Sequence, residues 1–231
     1  MSPQNKHEQV LVLNRCRMDD FGHWFGLRAG DVLLAVDGRP WRGTAAALQM
    51  QMARAGRPSA LSFQRGAAVF TVLCERADLG RWAQEPPRSK LGPIPDCTET
   101  LRNWEIMVDT RGNHDLFAAN PSWLALVAPP LWLAQARLWA ALALFFAVAA
   151  VALPAGGVLV ACVWLAAGLH LWRDGAVHQR VTLNDRGYRL AGVVAASSEA
   201  AAMATWQALV PQARFRFSPT LPMAVAQSEP G

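Results

Sequence analysis

A run of 35 residues, Leu138 to Trp172, contains no Asp, Glu, Lys or Arg, and nothing else in the chain limits its fold so strongly. As one α-helix the run would extend about 52 Å at 1.5 Å per residue. The hydrocarbon core of a bilayer is only about 30 Å thick. One span is therefore too long, and the run carries its own break at Pro154-Ala155-Gly156-Gly157. Proline ends a helix and glycine permits the reversal, so the pattern predicts a two-helix membrane hairpin, with spans near 132–153 and 157–173. The alternative is a helical pair buried in a soluble core. It is disfavoured because the run is nearly twice the roughly 18 apolar residues that mark a membrane helix.

The flanks predict an orientation. Arg137 lies at one end of the pair, Arg173 and Arg180 at the other, and the turn has no charge. The excess of positive charge on cytoplasmic segments then puts both ends of the pair in the cytoplasm. A single crossing would instead export Arg173, Arg180, Arg186 and Arg189. Trp132, Trp139 and Trp172 stand close to Arg137 and Arg173, as aromatic and basic anchors do at a headgroup layer. The first partner expected from the sequence is thus the lipid bilayer.

The rest of the chain is unlike this run. Residues 1–111 hold 15 of the 22 Lys and Arg, and the net charge is +5. The basic residues are spread rather than clustered, so no nucleic-acid partner is expected. Charged residues are 17% of the whole, below the roughly 25% of soluble domains. The opening Met1–Glu8 stretch is polar and lacks a signal-type apolar segment, which predicts a cytosolic first half. Cys16, Cys74, Cys97 and Cys162 are widely spaced and form no CxxC pair, so they read as free thiols. Four prolines and a glycine between Gln84 and Pro95 favour extended chain. The expected division is a domain over 1–80, a proline-rich linker over 81–100, a membrane module over 101–212 and a tail over 213–231. The fold class expected is α+β: a small β-rich domain, the membrane hairpin, and a short cytosolic αβ tail.

Within the first part, Gln9–Leu13 and Asp31–Gly38 read as strands. Ala45–Ala53 reads as a helix closed by Gly56, and Leu61–Arg65 with Ala68–Cys74 as a hairpin around Gly66. The stretch Gly26-Leu27-Arg28-Ala29-Gly30-Asp31-Val32-Leu33-Leu34-Ala35-Val36-Asp37-Gly38-Arg39-Pro40 resembles the bacterial PDZ signature G-L-x-x-G-D-x-I-x-x-V-[ND]-G-x-P. Gly26, Leu27, Gly30, Asp31 and Gly38 carry the likeness, which covers about 65 residues. Gly30 and Gly38 suit tight turns, and Asp31 suits a hydrogen bond to nearby backbone. PDZ domains bind an extended C-terminal peptide by strand addition. The resemblance implies an edge strand at Val10, Leu11, Val12 and Leu13, and a helical wall at Leu48, Gln51 and Met52. No glycine-containing carboxylate loop precedes Val10. The module either grips a free C-terminus or docks inside a complex, and the sequence leaves both open.

The second part carries another resemblance. Pro121-Ser122-Trp123-Leu124-Ala125-Leu126-Val127-Ala128-Pro129-Pro130-Leu131-Trp132-Leu133, then Arg137-Leu138-Trp139, is similar to a widespread uncharacterised family of small two-span bacterial inner-membrane proteins. The likeness continues through Asn184–Leu190, Val193-Val194 and Glu199-Ala200. It implies topology rather than chemistry: an inner-membrane, multi-pass protein with both termini cytoplasmic. Trp104–Val108 and Asp115–Phe117 read as a hairpin, and Tyr188–Val194 as a strand. Ser197-Ser198-Glu199 reads as the N-cap of a helix that Pro211 stops.

No catalytic set is found. His7-Glu8 lacks the second histidine of HExxH, and there is no G-x-S-x-G, Walker or G-x-G-x-x-G sequence. No enzyme activity, cofactor or metal site is assigned. His170, Asp174 and His178 share a helix face at four-residue spacing. They read either as a divalent-metal set or as a plain polar face with Gly175 ending the helix between them. Arg214 and Arg216, alternating with Phe215 and Phe217, suit either headgroup contact or a terminal strand. The sequence therefore predicts a membrane-anchored interaction or scaffold protein, an accessory subunit that recruits or stabilises another membrane or cytosolic protein. One alternative is a regulator of membrane proteolysis or secretion that binds protein C-termini. Another is a small metal-handling membrane protein.

Overall fold

The computed structural model describes residues 9–96, 100–119 and 122–216. The polar opening through Glu8, Cys97, Pro121, Phe217 and the tail prolines lie outside them. The protein is α+β, with two mainly antiparallel sheets and several helices, one of them long. It divides into two compact units, one of Met1–Leu116 with Leu190–Gly231 and one of Phe117–Arg189.

The first unit begins with β1 (Val10–Arg15), α1 (Phe21–Trp24), β2 (Val32–Val36), β3 (Arg39–Pro40) and α2 (Ala45–Ala55). It continues with β4 (Ser59–Arg65), β5 (Ala68–Cys74) and β6 (Arg81–Glu85). The strands order as β5-β4-β2-β1-β6, with β3 beside β2. Register explains the core. Leu11 faces Leu33, Leu33 faces Phe63, and Phe63 faces Phe70. Cross-strand partners lie on the same face, so these four side chains form one apolar row across the sheet. Leu48 and Met52 of α2 complete this buried cluster. The Thr44 hydroxyl accepts from the Ala47 N–H at the start of α2, and Gly56 at φ +60° ends it.

The same unit contains β7 (Arg102–Val108), β8 (Asn113–Ala118), β9 (Arg189–Ala196), α7 (Glu199–Leu209) and β10 (Arg214–Phe215). Their sheet orders as β10-β8-β7-β9. Ile106, Val194, Met203, Trp206 and Phe215 form its core. Ser198 caps α7 by accepting from the Ala201 N–H. Asp109 shapes the β7–β8 turn, accepting from the Asn113 side chain and from the backbone N–H of Arg111 and Asn113. Those hydrogen bonds, the Asn113 side chain's first, hold its carboxyl below the ordinary aspartate range.

The second unit is helical: α3 (Trp123–Val127), α4 (Pro129–Gln135), α5 (Trp139–Ala152), a 3-10 turn (Leu153–Ala155) and α6 (Gly157–Asp185). Ala125, Trp132, Leu133, Leu138, Phe145 and Leu171 are its buried cluster.

Three expectations are corrected. Arg81–Glu85, placed in the linker, is a strand: Trp82 pairs with Leu13 and stacks on Phe63, their centroids 6.3 Å apart. The following segment is held as well, because the Gln64 side chain donates to the Lys90 carbonyl and accepts from the Gly92 N–H. The helix expected over 132–153 is broken at Ala136–Leu138. There Arg137 takes φ +57°, its N–H bonds to the Ala134 carbonyl, and the Leu138 N–H bonds to the Leu133 carbonyl. That pairing is a Schellman stop, here with arginine in the left-handed position. The second helix, expected to end near 173, runs through Gly175 to Asp185. An equivalent stop at Gly187 ends it, with Gly187 and Tyr188 bonding back to Asn184 and Leu183. Among the described helices, α6 alone is both long and apolar enough to cross a membrane; α5 is shorter.

Candidate functional site

The Gly26–Gly38 stretch is organised around Asp31, which is 1% exposed. The Arg65 guanidinium grips it with two bonds, Nε to Oδ1 at 2.8 Å and Nη2 to Oδ2 at 2.7 Å. The Arg28 N–H donates to Asp31 Oδ2 at 2.8 Å, so the carboxylate also orders the turn before β2. Arg65 Nη2 donates to the Gly26 carbonyl and its guanidinium lies over the Phe70 ring. Gly26, Gly30 and Gly38 all have positive φ, and Leu27 is buried. The Gly30 N–H donates to the Leu13 carbonyl, while the Leu13 N–H donates to the Asp31 carbonyl. These motif residues thus form a clamp that ties the loop to β1 and β4. Removing one member of such a buried pair typically costs about 3–5 kcal/mol.

The residues expected to line a peptide groove sit differently. Val10, Leu11, Val12 and Leu13 are all buried, and β1 is an inner strand. Its far side is occupied by β6, with Val10 opposite Glu85 and Val12 opposite Ala83. Leu48 and Met52 belong to the core, and Gln51 is exposed. An expected edge strand is thus already paired by the chain's own next segment. On that side the outer strand becomes β6, which is short, carries Arg81 and Glu85, and runs into Pro86-Pro87. Each of these features discourages further strand pairing. At the other edge, the Asn103 side chain imitates a strand partner for β5. Its Oδ1 accepts from the Leu73 N–H at 2.9 Å and its Nδ2 donates to the Leu73 carbonyl at 2.8 Å. Trp82 and Asn103 were not singled out from sequence. Trp82, one large apolar side chain between Arg81 and Gln84, is the single local sign of a strand there, and nothing local marks Asn103.

In the helical unit the expected anchors split. Trp139 is 62% exposed, and Arg137 and Arg173 are exposed. Trp172 is half-buried, 6.4 Å from the Trp123 ring. Trp132 is instead buried, because Gly175 leaves room for its ring: a Cβ there would lie 2.7 Å from it. Gly168 plays the same part for α3, where a Cβ would stand 2.6 Å from the Leu126 carbonyl oxygen. Trp164 Nε1 donates to the Val127 carbonyl, and its ring packs edge-on against Phe145. Leu144, Phe146, Val148, Val151, Val158 and Leu165 are among the large apolar side chains left exposed along α5 and α6.

Polar groups complete the picture. His170 and His178 meet on α6 with Nε2 atoms 2.8 Å apart, and Asp174 Oδ2 lies 3.3 Å from His170 Nδ1. Among the described residues, no group of three or more His, Cys, Asp or Glu is arranged around a common metal position. Cys16, Cys74 and Cys162 are free thiols. Burial pushes the Cys74 thiol up to about 11. His114 is buried beside Trp206 and Phe215, its Nδ1 without a hydrogen-bond partner. Desolvation lowers its pKa from the ordinary histidine value. No protein-family model, characterised protein or solved structure matches the chain.

Proposed function

We propose that this is a membrane-anchored interaction protein of a bacterial inner membrane, with its α+β unit serving as a cytoplasmic PDZ-like docking module. The observation that carries the reading is the contiguous apolar surface of α5 and α6. Only 11% of the most apolar window of α6 is buried, and no charged residue lies between Leu138 and Trp172. A soluble monomer rarely leaves so much apolar surface in water. α5 is about 21 Å long and the apolar part of α6 about 24 Å at 1.5 Å per residue. Both fall short of an average core of about 30 Å, so the bilayer thins around the pair. With Arg137 and Arg173 at one level and an uncharged turn at the other, both arms enter from the cytoplasmic face.

The closed edges of the first sheet favour docking of the assembled unit over capture of a free C-terminus on β1. The partner is a protein held at the same membrane, where tethering raises the effective concentration of the two surfaces. Photocrosslinking from exposed Met18 or Met50 positions, in intact membranes, tests the reading. A discrete adduct with a second protein, lost when residues 138–172 are deleted, is expected. No discrete adduct from either position, or adducts unchanged by the deletion, contradicts it.

A further inference from the structure

The helix α6 brings two imidazoles together at a place the docking reading does not use. His170 and His178 are two turns apart, about 12 Å of helical rise. Their rings nevertheless lean toward each other until the centroids are 4.9 Å apart and the Nε2 atoms 2.8 Å apart. Asp174, between them, faces His170 Nδ1 at 3.3 Å. A carboxylate at Nδ1 keeps the hydrogen there, which leaves His170 Nε2 as a lone pair aimed at His178. At 2.8 Å two ring nitrogens can share one hydrogen; they cannot face each other with two. A cation can take the place of that hydrogen.

We propose that His170 and His178 form a two-imidazole site for a borderline divalent transition ion of the Zn2+ type, with Asp174 as a positioning residue. A metal about 2.0–2.1 Å from each nitrogen needs nitrogens roughly 2.9–3.4 Å apart at right-angled to tetrahedral geometry. The rings must therefore part by only a few tenths of an ångström. The His170 and Asp174 side chains are 58% and 42% exposed, so water can fill the remaining positions. Imidazole donors suit zinc, copper and nickel; Mg2+ and Ca2+ require oxygen ligands. Because Asp174 faces the far nitrogen of His170, it orients the ligand and does not bind the same ion.

The test is a calorimetric titration of Zn2+ alone into the full-length chain in detergent micelles, carrying no affinity histidines. One ion per chain is expected, and His170→Ala or His178→Ala each abolishes it. His23→Ala, away from α6, leaves it intact. Asp174→Asn keeps the stoichiometry and weakens affinity by about tenfold or more, the usual effect of losing such an orienting partner. Helical circular dichroism confirms that each variant is folded. Absence of zinc uptake, uptake that survives both histidine variants, or equal uptake of Mg2+ overturns the site. An unchanged affinity in Asp174→Asn overturns the positioning role.

Discussion

At the scale of single residues, two buried polar side chains show how differently burial can be resolved. Asp31 is almost wholly enclosed, yet its carboxylate accepts three hydrogen bonds, two from Arg65 and one from the Arg28 N–H. His114 is nearly as enclosed, but its Nδ1 has none. The first arrangement fixes a turn; the second leaves a pH-dependent weakness. Desolvation lowers the folded-state pKa of His114 below its ordinary value of 6.5. As pH falls through 6.5, the unfolded chain takes up the proton before the folded one does. Stability therefore declines from that point down to the folded pKa and levels off below it. Unfolding followed by tryptophan fluorescence should show a lower midpoint at pH 5.5 than at pH 7.5, and His114→Phe should shrink that difference. An equal difference in both proteins would mean that other groups cause it.

At the scale of elements, the fold was legible wherever the signal was local. Thr44 and Gly56 bracket α2, Ser198 starts α7, and Gly66 turns β4 into β5. Val32–Val36 is apolar at every position, the mark of a strand buried on both faces, and four of its five residues are buried. What was not legible depended on partners distant in the chain. Proline density between Gln84 and Pro95 predicts an extended linker over 81–100, but the stacking of Trp82 on Phe63 makes residues 81–85 a strand of the sheet. That one strand also removes the expected binding edge on β1. The break at Arg137 was hidden because a non-glycine residue fills the left-handed position. Gly175 looked like a helix end and is instead a notch for Trp132. The two notches on α6 lead to a comparison of glycines. Gly168→Ala forces a Cβ toward the backbone of α3 and should cost about 1–3 kcal/mol, the usual range for overpacking. Gly157→Ala meets no atom within 4 Å and should leave the thermal midpoint unchanged or raise it. Equal effects at the two positions would contradict the notch.

For the whole molecule, the composition resolves into two unlike compact units. One carries most of the arginines, two sheets and well-covered edges; the other carries the uncharged run of α5 and the first part of α6, with many of its large apolar side chains exposed. The β7–β8 and β9–α7 segments lie on opposite sides of the uncharged run in sequence, yet they share one sheet core with Ile106, Val194 and Trp206. In the proposed arrangement both ends of the run return to the same face of the bilayer, which is what a shared sheet on one side requires. The measurement that bears on this most directly is labelling with a membrane-impermeant maleimide. Single cysteines are placed at Met18, Val158 and Arg186 in a chain lacking Cys16, Cys74, Cys97 and Cys162. The account predicts that the Met18 and Arg186 positions react only in inverted vesicles and the Val158 position only in intact cells or right-side-out vesicles. Labelling of Met18 and Arg186 from opposite faces, or of all three from the same face, would contradict it.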